Sequence, residues 1–575
     1  MTSHPPTDRA RLLRLAVLGL LAAAVAWLAL GHLRLTLFAP FALDEFEYAH
    51  AGWRIARGDV IYRDFFEAHH PLLMQLAALL WLGLDDQPVH LGTLRFLMLP
   101  VLALAIAAAC VINRRFCRGW SAVTAVVLLM IPTLSSMATQ LRQDPLAAAL
   151  FLAALAVLYG RRLAPAGRGL LAGTLLVATF WGTLKVVYYG LAFPAALLAD
   201  LQAGRREERG GLLGSPAFFL LGTALGLVPI ALYLSATGTW DDWYRWCIAF
   251  AFRHQEHYPG FPWQRNFGQL VRHSFWLLPA AAVGVAATVR RLAGRADAGR
   301  HPDLLLLASL PATFVSFAWQ TAAYLYSLVP FTLVLGIFAA RGLVAATDWS
   351  LATARRQRGG VFVAVALALL FAGELRRAGD GLRRLLVPDN SQQIRVLGRL
   401  GAMTDPEDAV FHPFGGQISR PAVHYFYFLE PATRLLEEER LRRELVPAMI
   451  EHRVTVYLHD RDLFPRLVPE LQAYLLGHFL PYDETIWVWG RRYAAGPSAA
   501  VEGDFVARRD GRHFVWPPAA AADLLLDGRP AGGPIFDLAA GRHRVAYDGG
   551  LGEIFILWLP RDGRPFPPRP ELLSR

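Results

Sequence analysis

Long apolar runs separated by short charged ones occupy most of the first 375 residues. Blocks with few charges fall near 11–38, 88–112, 119–138, 145–160, 168–183, 186–202, 213–235, 271–289, 303–320, 322–345 and 359–375. A bilayer core takes about twenty apolar residues in helix, so the blocks predict about eleven transmembrane helices. Arginines cluster between them, at Arg114/Arg115/Arg118, Arg161/Arg162/Arg168, Arg205/Arg206/Arg209, Arg290/Arg291/Arg295 and Arg355/Arg356/Arg358. Such clusters mark cytoplasmic loops. All five fall in alternate loops, which puts the N-terminus in the cytoplasm and everything after about residue 376 outside.

That parity decides the role of PLLMQLAALLWLGL at 71–84. A crossing here would invert every later loop, and about fourteen residues is short for a span. It is therefore expected to lie along the outer interface, so that the first external loop runs from about 39 to 87. A second large external loop covers 236–270, with short outer turns near 139–144 and 184–188.

After residue 380 the pattern changes. Residues 381–493 mix a helical stretch (RLLEEERLRRELVPAMIEH) with short β-rich runs at 454–458 and 485–490, the rhythm of a small α/β domain. Residues 494–575 carry strand-like runs near 504–507, 523–526, 543–547 and 554–558, and predict a small β-sandwich-like domain. The Gly-rich 528–541 stretch is expected to be turn. The expected architecture is an α-helical polytopic membrane domain, 1–380, followed by these two extracytoplasmic domains. No repeat is evident.

Composition agrees: 55% of residues are hydrophobic and only 18% charged, below the quarter or so usual in soluble domains. The net charge of +11 resides largely in the loop clusters, which argues against a nucleic-acid partner. Cys110, Cys117 and Cys247 have no metal spacing and read as packing residues. The N-terminal basic and apolar run is longer than a signal-peptide core and reads as an uncleaved first helix of an inner-membrane protein.

Few residues are placed to do chemistry. Asp44-Glu45 directly follows the first apolar block; it is either a solvated loop edge or a cavity-facing acid pair, one member of which can act as a general base. Asp144, before Pro145, is either a helix N-cap or a second acid at the same cavity. Lys185, Arg142 and His70 fall at one expected depth, where cations either snorkel or meet a lipid phosphate. His69, His254 and His257 are the candidates for a divalent metal, but HQEH lacks the HExxH order of zinc hydrolases. No phosphate-binding loop, dinucleotide fingerprint or GxSxG elbow is present.

Taken together, these motifs resemble the polyprenyl-phosphate-sugar glycosyltransferases of the GT-C fold, the superfamily of protein O-mannosyltransferases and aminoarabinose transferases. The resemblance covers residues 10–345 and continues more faintly to 493. Asp44-Glu45-x-x-Tyr48-Ala49, Gly58-Asp59 and Tyr62 resemble the family's first-loop signature. His70-Pro71-Leu72 stands where the family commonly has Lys-Pro, and Arg95 where an arginine opens the second span. Asp144-Pro145 matches the second acidic motif, and Leu184-Lys185 resembles Leu-Thr-Lys-Gly without its Thr and Gly. Tyr326-x-x-x-Pro330 is similar to a tyrosine–proline motif, one residue off in spacing.

The resemblance implies transfer of a sugar, with inversion, from a polyprenyl-phosphate donor at the outer face to a glycan, lipid or protein acceptor. It gives Asp44 the acceptor, with Glu45 and Asp144 shaping the site. Lys185, His70, Arg142 and Tyr326 would then serve the donor phosphate, and no metal is obligatory. The alternatives are a flippase for lipid-linked glycans and a non-catalytic envelope-glycan binder. Acids kept at helix ends on one side, rather than at the midplane, favour the enzyme. A turn at Leu538-x-x-Gly541-x-His543 is similar to those of carbohydrate-associated β-sandwiches.

Overall fold

A computed structural model describes residues 8–573 except 118, 161, 203–211, 258–261, 295–301, 321, 355–358, 430–433, 435 and 495–499. The chain divides into two compact units. The first comprises residues 1–41, 68–76 and 94–390; the second comprises 42–67, 77–93 and 391–575.

The first unit is helical, and every apolar block supplies a helix or a broken pair of helices. The elements used below are α1 (Asp8–Phe38), α2 (Leu43–Ala56), α3 (Leu72–Trp81), α4 (Met98–Asn113), α5 (Ala122–Leu129), α6 (Pro132–Ala138), α7 (Gln143–Tyr159) and α8 (Pro165–Gly182). Further along come α9 (Pro216–Thr237), α10 (Trp263–His273), α11 (Leu277–Ala293), α12 (Asp303–Ala318), α13 (Val329–Ala354) and α14 (Gly359–Arg384). Of these, α2 belongs to the second unit and α3 is divided between the two. Among the described residues four helices are long and apolar enough to cross a bilayer, or six if each bent pair counts as one. The eleven blocks thus become helices of unequal length, because breaks at Met130-Ile131 and 190–191 fall inside blocks and shorten them.

Small residues let helices touch through their backbones, the usual device where lipid removes the hydrophobic drive. At the α11–α13 crossing, a Cβ on Gly342 would lie 1.8 Å from the Ala280 carbonyl oxygen, and one on Gly284 1.9 Å from that of Phe338. Only glycine permits this approach.

A buried polar hub joins five helices at the far end of α7 from Asp144. Arg341 on α13 donates to Asp303 (2.7 Å), to the side-chain amide oxygen of Asn113 (2.8 Å) and to Thr288 (3.1 Å). The Tyr159 hydroxyl also donates to Asp303, at 2.6 Å. Arg341 and Asp303 are about 1% exposed, so each needs the other: a lone buried charge would be far more costly than the pair. Tyr159 and Asp144 stand fifteen residues apart on one helix, which is about 22 Å at 1.5 Å per residue.

In the second unit the main sheet has the order β1-β2-β4-β11-β6-β9, with β3 also on β4. Its strands are β1 (Val410–Phe411), β2 (Val456–Leu458), β3 (Phe479–Pro481), β4 (Ile486–Ala494), β6 (Gly511–Trp516), β9 (Ile535–Leu538) and β11 (Glu553–Trp558). A second sheet runs β5-β10-β7-β8, from Val501–Ala507, Gly541–Tyr547, Leu524–Leu526 and Arg529–Pro530. Strand β4 pairs with β2 and β3 through its first half and with β11 through its second. The expected division at 493/494 therefore falls inside a strand, and one sheet runs through it. The 528–541 stretch corrects another expectation, since it contains β8 and β9. Glycine turns disguise these short strands: Gly528 just before β8 and Gly532 between β8 and β9 both adopt φ of +76°.

Candidate active site

The site in the first unit is built where α6 and α7 meet at a bend of 110°. The chain leaves the helical path at 139–142, and Arg142 (φ −141°, ψ 149°) takes the N-cap position of α7. Asp144 is thus not the cap; it stands in the first turn, where the helix dipole favours its negative charge. Its carboxylate accepts a hydrogen bond from Lys185 Nζ at 2.9 Å, with only 9% of the aspartate side chain exposed.

Lys185 is positioned by the end of α8. Thr183 there is extended (φ −162°, ψ 139°), and Lys185 then opens a single helical turn, Val186–Tyr189. Its ammonium donates also to Ser327 Oγ at 3.0 Å and stands 4.7 Å from the Tyr326 ring centroid. The Arg142 guanidinium covers the same ring at 4.5 Å, so one aromatic residue carries two cations. Tyr326 stacks on Tyr324 at 5.3 Å, on the turn Leu325–Leu328 that leads into α13. The Ser327 hydroxyl in turn donates to Gln320 Oε1 at 3.1 Å. Arg142 donates to Gln140 at 2.7 Å.

Asp144, Lys185, Arg142 and Tyr326 are therefore gathered into one cluster. Ser327, Gln320 and Gln140 complete it and were not singled out in the sequence; as neutral polar residues in loops they carry no periodic or charge signal.

His70 differs from expectation. Its backbone belongs beside the cluster, since the Gln143 amide donates to the His70 carbonyl oxygen at 2.9 Å. Its ring instead lies edge-on among Phe180, Trp181 and Trp243, with centroids 4.8, 5.9 and 5.9 Å away. Burial, with a smaller contribution from His69, lowers its pKa to about 3. The imidazole is neutral and 1% exposed. The ring expected to meet a phosphate thus packs among aromatic side chains, where burial penalises an imidazolium. His69 is half-buried, its carbonyl accepting from Cys247 Sγ at 3.3 Å. The side chains of His254 and His257 lie outside the described residues.

Arg95 fixes the exit of α1. It is fully buried, donates to the carbonyls of Ala39 (2.5 Å) and Pro40 (2.6 Å), and covers the Phe41 ring at 4.2 Å.

Within the second unit, α2 begins with Leu43-Asp44-Glu45. Glu45 accepts the Ala42 N–H at 2.8 Å and is fully buried. That is the carboxylate half of a capping box, with no hydroxyl at the N-cap to answer it. Asp44 is half-buried in the same first turn. Gly58 ends the segment at φ +98°, a conformation that favours glycine, and Asp59 next to it accepts from Arg54 at 2.6 Å. Tyr48 and Ala49 are buried packing positions, the Ala49 carbonyl receiving the Trp81 indole N–H at 3.0 Å. Much of the first-loop signature is thus structural. Behind it the Tyr427 hydroxyl donates to Glu67 at 3.2 Å, and burial, then Glu67 and Glu47, push its pKa well above the usual tyrosine value.

No family model and no curated protein sequence matches the chain. Solved structures do. ArnT from Cupriavidus metallidurans in the apo state aligns with a TM-score of 0.53 at 15% identity, over 82% of this chain and 98% of that one. The same protein bound to undecaprenyl phosphate aligns at 0.52 and 15%, over 82% and 97%. The oligosaccharyltransferase AglB from Archaeoglobus fulgidus aligns at 0.48 and 12%, over 80% and 73%. Together with the apolar helices and the C-terminal sheets, the ArnT alignment shows that this chain is a polytopic α-helical membrane protein of the GT-C fold.

Proposed function

We propose that the protein is a membrane glycosyltransferase that moves a sugar from a polyprenyl-phosphate donor to an acceptor at the outer face of the cytoplasmic membrane. The observation that carries this is the cluster of Lys185, Arg142, Tyr326 and Asp144 at the α6–α7 bend. A sugar phosphodiester gains one negative charge on phosphate as its C1–O bond breaks. Two cations held over one ring, one of them anchored by Asp144, suit that change: placed charges aimed at a developing anion are a large catalytic contribution. Cations held in place also need no rearrangement as the anion forms.

In this reading Asp44 orients or deprotonates the acceptor hydroxyl or amine, which attacks C1 from the face opposite the phosphate and inverts the centre. Glu45 acts through structure, holding the first turn of α2. The donor phosphate falls to Lys185 and Arg142 without His70. ArnT is a GT-C protein of the same architecture that was solved with undecaprenyl phosphate, which supports a lipid-phosphate donor here. The reading also takes the N-terminus as cytoplasmic and residues after about 376 as extracytoplasmic, with the sheets as an acceptor-side accessory. The acceptor class, whether glycan, lipid or protein, is read from the assay.

The test is reconstitution with a panel of polyprenyl-phosphate sugars, following loss of sugar from the lipid. Turnover by wild type that disappears in Lys185→Gln and Asp44→Asn is expected. Full turnover in Lys185→Gln overturns the site, and full turnover in Asp44→Asn overturns its role as base.

A further inference from the structure

A second amphiphilic site lies within the helical unit. A cavity of about 320 Å³ opens between α11, α13 and α14, lined by apolar side chains such as Val283, Leu343, Ala346, Leu370 and Phe371. It shares Met130, Phe275 and Glu374 with a larger cavity of about 600 Å³ whose wall is polar and cationic. There Arg272 and His273 from the end of α10 face Arg377 and Arg384 from the end of α14, with Thr133, Ser136 and Gln269 as further hydrogen-bonding groups. Two acids, Glu374 and Asp380, also line it. Arg377 pairs with Glu374 at 2.6 Å, which leaves Arg272 and Arg384 against Asp380. The balance is cationic.

Two features say what fills this shape. Leu370, Phe275 and Val283 are 60%, 52% and 45% exposed along the apolar slot, which is costly facing water and natural facing acyl chains. The arginines, moreover, stand at the wrong end of α14 for a cytoplasmic loop. The sequence has Arg355, Arg356 and Arg358 just before the helix and Arg376, Arg377, Arg383 and Arg384 near its end. The helix that follows the first group in sequence is 26 residues long, about 39 Å at 1.5 Å per residue, so clusters at both of its ends cannot obey the positive-inside rule. The second group therefore calls for an anion at the membrane surface, directly above an apolar slot.

We propose that this composite cavity binds an anionic membrane phospholipid, its phosphate between Arg272 and Arg384 and its acyl chain in the slot between α11, α13 and α14. The site is separate from the transfer cluster: Asp144, Lys185, Arg142 and Tyr326 do not line it, although Leu325, next to Tyr326, does. Lipid seated there packs against the turn that carries Tyr326 and Ser327.

The test uses full-length protein in a neutral detergent, loaded with dioleoylphosphatidylglycerol or dioleoylphosphatidylcholine and read by native mass spectrometry. Wild type retains phosphatidylglycerol at least tenfold better than phosphatidylcholine. Arg272→Gln/Arg384→Gln, both exposed positions, abolishes the preference. Ala346→Trp, which fills the slot, abolishes retention; if it fails to fold, Leu370→Trp at a more exposed position replaces it. Lys185→Gln keeps the wild-type preference. Equal retention of the two lipids, or persistence of the preference in the double variant, overturns the proposal. So does displacement of the bound lipid by millimolar inorganic phosphate together with retention in both slot-filling variants, which would mark a phosphate site alone. Loss of the preference in Lys185→Gln would move the lipid to the transfer cluster and equally overturn it.

Discussion

Lys185 and Asp144, forty-one positions apart, meet at 2.9 Å in the first turn of α7. The contact makes each the other's condition. The aspartate aims the ammonium, and the ammonium gives a carboxylate with 9% of its side chain exposed a partner in place of water. Lys185→Gln is expected to lower kcat by about 10²–10³-fold, the scale lost with one stabilising group. Asp144→Asn is expected to lower it less, because Ser327 still anchors the ammonium. Steady-state turnover of a polyprenyl-phosphate sugar by both variants checks the order; a milder loss in Lys185→Gln contradicts it.

The ring of Tyr326 should matter more than its hydroxyl. Both cations lie over its face, at 4.5 and 4.7 Å. Tyr326→Phe keeps that face and is expected to raise KM for the donor less than threefold or so, whereas Tyr326→Leu removes about 1–2 kcal/mol of cation–π support and raises it about tenfold. Donor titrations of the two variants separate ring from hydroxyl.

The turn before β10 predicts a pH effect. His543 contacts Asp527 (2.7 Å) and the Ala539 carbonyl (2.8 Å). Burial works to lower the imidazole pKa, but the carbonyl and Asp527 outweigh it and the net direction is upward. Asp527 is held below the usual carboxylate range, chiefly by His543. A raised histidine stabilises fully below its unfolded pKa and loses that contribution as pH rises through its folded value. The Asp527 contribution is lost in acid, as pH falls through its depressed value. Asp527→Asn should therefore lower the unfolding temperature most near about pH 5–6, with the deficit shrinking by about pH 8. The deficit is small, because the Asp527 side chain is about half exposed to water. Thermal scans across pH in detergent, wild type against variant, measure it; a deficit that grows with pH contradicts the assignment.

Removing one member of the buried hub should be severe. Arg341→Met strands Asp303, a loss expected at about 3–5 kcal/mol, and Arg341→Met/Asp303→Leu should recover most of it. Chemical or thermal unfolding of the two variants tests this; equal damage in both would mean that packing, not charge, holds the five helices.

How much of this was legible in the sequence depends on the kind of signal. Apolar blocks are long-range averages, and each became helix, with the turn at 139–142 falling between two of them; the break at Met130-Ile131 lies inside an unbroken apolar run and leaves no such signal. Asp144, Lys185, Arg142 and Tyr326 stood out as charges or motif residues next to apolar sequence. His70 had the same appearance, and only Phe180, Trp181 and Trp243, far away in the chain, surround its ring with aromatic side chains. The Arg341–Asp303 hub was missed for the opposite reason. Arg341 is a lone arginine inside an apolar block and Asp303 reads as the start of another, and neither shows its partner in sequence. Short strands such as β9 hid among glycines that mark turns.

The second unit recruits its first pieces long before its last. His50 on α2 bonds the Ile418 carbonyl at 2.6 Å, Phe66 N–H bonds that of Tyr425 at 2.9 Å, and Ser419 bonds that of Asp86 at 2.9 Å. During synthesis the segment holding Asp44 therefore waits, unfinished, while the whole membrane bundle is made. Cutting the chain at 390 would not shed an optional appendage; it would leave the acid pair on a helix without a foundation. Maturation of this protein is thus a matter of its C-terminus returning to complete its beginning.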